Sequence, residues 1–153
     1  MTCYQSGDFS KYFKENMTDL GLPVPNTLFD TYNATISTAT TIVGTLATLG
    51  KSATIGELIG ATVGLEKLAV AASIGAVAYT GAVIGSAAVA TGRSLGCGST
   101  ISDFFVSNPK LKFAGAELLF AYHPEIVQQH LPNRATFAVK AKRTPGVFEY
   151  ATC

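Results

Sequence analysis

Residues 68–92 read LAVAASIGAVAYTGAVIGSAAVATG, and from Leu68 to Gly92 no side chain is charged, with Glu66-Lys67 on one side and Arg93 on the other. A continuous helix of this length is about 37 Å long, enough to cross a hydrocarbon core of roughly 30 Å with some tilt. Its strongly apolar aliphatics are Leu68, Val70, Ile74, Val77, Val83, Ile84 and Val89. At roughly −0.3 to −0.6 kcal/mol each they favour insertion by about −2 to −4 kcal/mol, which glycine, serine and threonine largely cancel. A segment this marginal stays out of lipid when packed against amphipathic helices and enters it when several helices associate, so it suits a protein with two states.

The glycines around it are regularly placed. Gly56, Gly60 and Gly64 make a double GxxxG, Gly81 and Gly85 another, Gly92 and Gly96 a third, and Ala71 with Gly75 adds a small-xxx-small pair. An interior helix glycine costs about 1 kcal/mol relative to alanine in water, so their accumulation there needs a reason. In a membrane, small residues at i and i+4 let two helix backbones approach closely, and close packing is the main attraction once lipid removes the hydrophobic effect. A tightly packed water-soluble helical hairpin reads the same way by composition, because a buried Gly/Ala-rich helix and a membrane helix share one signature.

Working outward, Thr54 with Glu57 forms the T-x-x-E capping box that starts a helix, so residues 54–96 are expected to be a hydrophobic helical hairpin. Upstream, Phe9, Tyr12, Phe13, Met17 and Leu20 fall at helical spacing, and Gly21 with Pro23 stops that helix. A second helix is expected over 27–49, its other face nearly all Thr, Ser and Ala. The N-terminal part, 1–50, is therefore read as amphipathic helices. Residues 99–153 return to ordinary composition, with short helices at Phe104–Val106, Ala114–Tyr122 and Pro124–Leu131. Phe137, Val139 and Ala141 then alternate with polar residues over 135–142, and with 146–151 this predicts a small β-hairpin. The whole chain is expected to be a single, mainly α domain: a helical bundle around the central hairpin, with the β-hairpin at its end.

Charge excludes one class of function. The 153 residues carry 11 Lys+Arg against 10 Asp+Glu, a net charge of +1, so no basic excess is available for phosphate contacts and no nucleic-acid partner is expected. Cys3, Cys97 and Cys153 form no CxxC and have no histidine at zinc-ligand spacing; no metal and no cofactor is expected, and a Cys3–Cys153 disulfide stays open. The first residues lack the basic and apolar regions of a secretory signal. Gly92-Arg93-Ser94-Leu95-Gly96 matches G-x-S-x-G with Asp103, His123 and His130 downstream, but a long helical pattern precedes the serine where a hydrolase needs a strand. A Cys97 dyad with His123 or His130 lacks basic neighbours closer than Arg93. The chain is therefore read as a non-enzyme, with no catalytic residues.

The stretches TCYQSGDFSKYFKEN (2–16), TIGELIGATVGLEKLAVAASIGAVAYTGAVIG (54–85) and ATGRSLGCGSTISD (90–103) make residues 1–105 resemble the small glycine-zipper pore-forming effectors that bacteria deliver through type VI secretion systems. The resemblance implies an antibacterial toxin, cytoplasmic in the producer and secreted without a signal peptide. Such a toxin inserts into the target cell's inner membrane and conducts ions, so that membrane potential is lost. It further implies membrane lipids and a self-oligomer as partners, the secretion tube's hexameric ring as carrier, and a cognate immunity protein.

In such a pore Gly56, Gly60, Gly64, Gly75, Gly81, Gly85, Gly92 and Gly96 would pack the helices. Thr62, Ser73, Thr80 and Ser86 would satisfy hydrogen bonds or face the lumen, and a ring of Glu57 or Glu66 carboxylates would favour cations. Without a pore, Glu57 is a helix cap and Glu66 a turn residue beside Lys67. The rival reading is a soluble helical binding, adaptor or immunity protein whose glycine-rich hairpin is permanently buried.

Overall fold

The computed structural model describes residues 8–25, 27–50, 52–62, 64–91, 101–111, 116–128 and 131–143. Among the described residues seven α-helices run in order: α1 (Asp8–Asp19), α2 (Tyr32–Leu49), α3 (Ile55–Ala61), α4 (Ala76–Thr91), α5 (Ile101–Ser107), α6 (Ala116–Tyr122) and α7 (Thr136–Arg143). Short 3₁₀ segments cover Glu66–Ala71, Pro109–Leu111 and Pro124–Ile126. Among the described residues the only β pairing is an isolated antiparallel bridge between Thr54 and Gly75. The mainly α class is as the composition predicts.

The periodicity of α1 sets its packing. Phe9, Phe13, Met17 and Leu20 are buried while Lys11, Glu15 and Thr18 face solvent. The helix ends where Gly21 takes φ +78°, with Gly21 N–H bonded to Thr18 O at 2.9 Å and Leu22 N–H to Met17 O at 3.0 Å. That paired closure satisfies the last carbonyls and needs a residue without Cβ strain. Phe9 stacks on Phe13, Phe13 on Phe29, and Phe9 meets Tyr32 edge-on, so the start of α2 is fastened to α1 by rings.

α2 begins later than the expected Thr27. Thr31 is its N-cap, extended at φ −132°, and its hydroxyl accepts from Ala34 N–H at 3.0 Å. None of its eighteen residues is charged. Thr35, Thr38, Ala39, Ile42, Val43 and Leu46 are buried, and the opposite face carries Asn33, Ser37, Thr41, Gly44 and Thr48. Hydroxyls of Thr35, Thr40, Thr41, Thr45 and Thr48 each donate to the carbonyl four residues back.

At the centre lies α4. Every residue from Ala76 to Ala88 is buried, and so is Ala90. It packs chiefly against α1 and α2 and also touches α3, α5, α6 and the Pro124–Ile126 turn. A helix surrounded on all sides has no polar face to keep, which is why its sequence is apolar or small all round.

Two expectations are corrected. The single helix expected over Leu68–Gly92 is broken: a 3₁₀ segment ends at Ala71 and α4 starts at Ala76. α3 ends at Ala61, so the expected hairpin of two long helices is instead a short helix, a 3₁₀ segment and one long helix. The first strand of the predicted β-hairpin is helix α7, while 146–151 lies outside the described residues. In α7 Phe137 and Ala141 are buried one turn apart and Val139 is 64% exposed. Three alternating residues fit a period of 3.6 as well as a period of 2 when the middle one is a solvent-facing valine. Ala138 packs where a Gly21 Cβ would lie, 3.0 Å away, and its N–H bonds Leu20 O at 3.2 Å, so α7 docks on the end of α1.

Candidate functional site

The residues expected to build a zipper do not share one stripe in this fold. Gly81 and Gly85 are buried in α4. A Cβ on Gly85 would collide with the Ile126 side chain and lie 3.0 Å from the Phe120 ring and 3.2 Å from Val127, so this glycine is the notch into which the Pro124–Ile126 turn fits. Gly56 opens α3 and gives its N–H to Ala72 O at 2.9 Å, with 3.1 Å between that oxygen and an added Cβ. Gly60 is exposed, and a Cβ there meets nothing within 4 Å. Gly64 lies beyond α3 at φ +100°, a left-handed turn position that breaks the Gly56–Gly60–Gly64 stripe. Gly75 is buried opposite Thr54. Gly92 and Gly96, like Cys3, Cys97, Cys153 and His130, lie outside the described residues.

The expected lumen residues divide likewise. The capping box is present: Glu57 N–H donates to the Thr54 hydroxyl, and the Glu57 carboxylate accepts from Thr54 N–H, each at 3.3 Å. Thr62 shares a 2.8 Å hydrogen bond with Thr45, tying α3 to α2. Glu66 is exposed and accepts from Gly64 N–H at 3.2 Å; this bond and that from its own backbone N–H hold its carboxyl below the usual range. Ser73 faces solvent. Thr80 and Ser86 are fully buried in α4; the Thr80 hydroxyl has no hydrogen-bond partner, whereas Ser86 accepts from Asn16 Nδ2 at 2.8 Å.

That Asn16–Ser86 bond belongs to a polar clasp around the middle of α4. Asn16, fully buried on α1, also donates to Ile126 O at 2.8 Å. Arg134, 6% exposed, gives Nε to Glu125 O at 2.9 Å, Nη1 to Asp19 Oδ2 at 3.2 Å and Nη2 to Asn16 Oδ1. Burial lowers the Arg134 pKa, while Asp19 and Glu125 oppose that shift by favouring the charged form. Glu125 accepts from Lys140 Nζ at 3.3 Å and lies 3.6 Å from His123 Nδ1. Burial pushes the Glu125 carboxyl up, but its bonds to His123 and to its own backbone N–H, with the Lys140 charge, outweigh this and hold it at about 2. His123 meets the edge of Phe137.

Every guanidinium nitrogen of Arg134 is thus engaged by protein groups, so the clasp fastens the α6–α7 connection onto α1 and α4. Sequence reasoning did not find this cluster. Asn16 stands on the buried stripe of α1 beside Phe13, Met17 and Leu20, and a polar residue on an apolar face was the one available signal. Its partner Arg134 is 118 residues away, a separation no periodicity reports.

Tyr79, on α4, is buried, which raises its pKa, and its hydroxyl donates to Pro23 O at 2.9 Å. Among the described residues no group of three or more His, Cys, Asp or Glu side chains can hold a metal ion. None of the described helices is long and apolar enough to cross a membrane. No family model, no curated protein and no solved structure matches this chain.

Proposed function

We propose that the protein is an antibacterial pore-forming toxin, delivered by type VI secretion, that inserts into the inner membrane of a target cell and conducts cations until membrane potential is lost. The observation that carries this reading is α4: an uncharged helix with every residue from Ala76 to Ala88 buried, wrapped by an amphipathic α1 and an uncharged α2. A chain that stores its most apolar helix inside a polar coat can remain in water and later exchange the coat for lipid. Delivery, the hexameric carrier ring and the immunity partner rest on the resemblance of residues 1–105 to the effector family.

The rival reading, a soluble binding or immunity protein, draws on the notch at Gly85: its fit to Ile126, Phe120 and Val127 is what permanent burial of α4 needs. Gly60 separates the two. A Cβ there meets nothing in this fold and the position is exposed, so a Gly60→Leu protein is expected to fold, yet it places a bulky side chain on the surface that a helix-to-helix zipper in lipid would use. In a planar bilayer, discrete current steps from the wild type that disappear in a folded Gly60→Leu protein support the pore. Silence from the wild type over a range of lipids and pH moves the assignment to the binding protein.

A further inference from the structure

The break between Ala71 and Ala76 is only weakly written into the local sequence, where Gly75 disfavours a helix by about 1 kcal/mol. Residues 71–76 read AASIGA, with no proline, and alanine is the best helix former. In a continuous α-helix the Ala72 carbonyl would accept from Ala76 N–H. Here both groups are taken by a different segment: Gly56 N–H donates to Ala72 O at 2.9 Å, and Ala76 N–H donates to Ala53 O at 2.9 Å. Ile55 N–H bonds Ile74 O at 3.0 Å, and Gly75 N–H, which a helix would direct to Ala71 O, goes to Ala141 O of α7 at 3.3 Å. The Ala71 carbonyl accepts instead from Ile74 N–H at 2.9 Å in a tight turn. Four backbone groups of the stretch that would join the two pieces, Ala72 O, Ile74 O, Gly75 N–H and Ala76 N–H, are thus bonded to residues far away in the chain.

We propose that residues 53–56 are a backbone clamp, seconded by the end of α7, that keeps the uncharged run divided into pieces too short to cross a bilayer, and that releasing the clamp lets residues 66–91 close into one helix. The divided state leaves α4 with sixteen residues, about 24 Å, which is less than the roughly 30 Å of hydrocarbon. The joined state has 26 residues and is about 39 Å long, with Glu66 and Lys67 left at its end. Lipid favours the exchange because an unpaired carbonyl is costly there, and the joined helix satisfies its own backbone without the clamp. The inference rests on the membrane-active reading, from which its test is separable.

Thr54 and Gly75 stand directly opposite each other, flanked by the Ala76-to-Ala53 and Ile55-to-Ile74 bonds. In an antiparallel pairing this is the non-hydrogen-bonded site, with Cα atoms about 4.5 Å apart and within the span of a disulfide. A Thr54→Cys/Gly75→Cys protein, with Cys3, Cys97 and Cys153 replaced by serine, therefore locks the clamp when oxidised and frees it when reduced. Spin labels on Lys67→Cys and Thr91→Cys, in the same serine background without the staple, report the joining as a distance measured by pulsed electron resonance.

With vesicles of phosphatidylethanolamine and phosphatidylglycerol the distance is expected to shift to about 36 Å, the length of 24 residues of continuous helix. The oxidised staple is expected to lose vesicle permeabilisation and to regain it on reduction. An unchanged label distance on adding vesicles overturns the clamp, whether or not the staple variant folds. Current steps with an unchanged distance, or from a folded oxidised staple, leave the pore standing without the clamp. A lengthened distance with no current keeps the clamp and removes the pore.

Discussion

Gly60 and Gly85 stand in the same repeated spacing, yet the fold assigns them opposite roles. Gly85 accepts the Pro124–Ile126 turn and leaves no room for a Cβ, whereas Gly60 looks onto open space from an exposed face of α3. Gly85→Ala is therefore expected to cost about 1–3 kcal/mol through overpacking. Gly60→Ala is expected to gain a few tenths of a kcal/mol, up to about 1, from helix propensity. Urea denaturation of the two proteins checks the sign. If both substitutions stabilise, the turn does not sit in the notch. The glycines were legible in the sequence as a group, but the division between packing and exposed positions was not, because i, i+4 spacing says which residues share a helix face and not what covers it.

At the scale of elements, starts and stops read well where the chemistry is local. The Thr54–Glu57 capping box and the Gly21 closure are made by side chains and torsions within a few residues, and both stand where the sequence puts them. The two failures, the break before α4 and helix α7, are both produced by partners remote in sequence: residues 53–56 for the break, Leu20 and Gly21 for α7. α7 gives a direct test of period. On a strand Val139 would share a face with Phe137 and Ala141, but on the helix it faces solvent. Val139→Lys is expected to change stability by no more than about 0.5 kcal/mol. Ala141→Lys, which forces a charge among buried groups, is expected to lower the melting temperature by several degrees. Equal losses from the two would restore the strand.

For the molecule as a whole, the clasp of Asn16, Arg134, Glu125 and Ser86 joins the first helix, the central helix and the last third of the chain. Its acid sensitivity has a definite sign. The Glu125 carboxyl is held at about 2, below its ordinary 4.5, so the stability it contributes is fully present above about pH 4.5 and fades as pH falls toward 2. Relative to Glu125→Gln, the wild type is expected to lose on the order of 1 kcal/mol between about pH 6 and pH 3, solvent screening having reduced the full linkage value, as read from urea midpoints. A parallel pH response in the two proteins would place the acid-labile contact elsewhere. That loss falls on the contacts of the Glu125 carboxylate with His123 and Lys140, beside the turn fitted into Gly85. The sequence supplied the buried helix but not the fastening, because Asn16 and Arg134 meet only once the chain has folded.

The threonine bonds along α2 carry a last consequence. Each of five hydroxyls has already committed its proton to a carbonyl of its own helix. When water is stripped from that surface, these side chains forfeit acceptor contacts and no donor is orphaned. Those five threonines thus have a dehydration cost nearer to that of alanine, and that stretch of α2 can change solvent without acquiring a new acceptor for any of them.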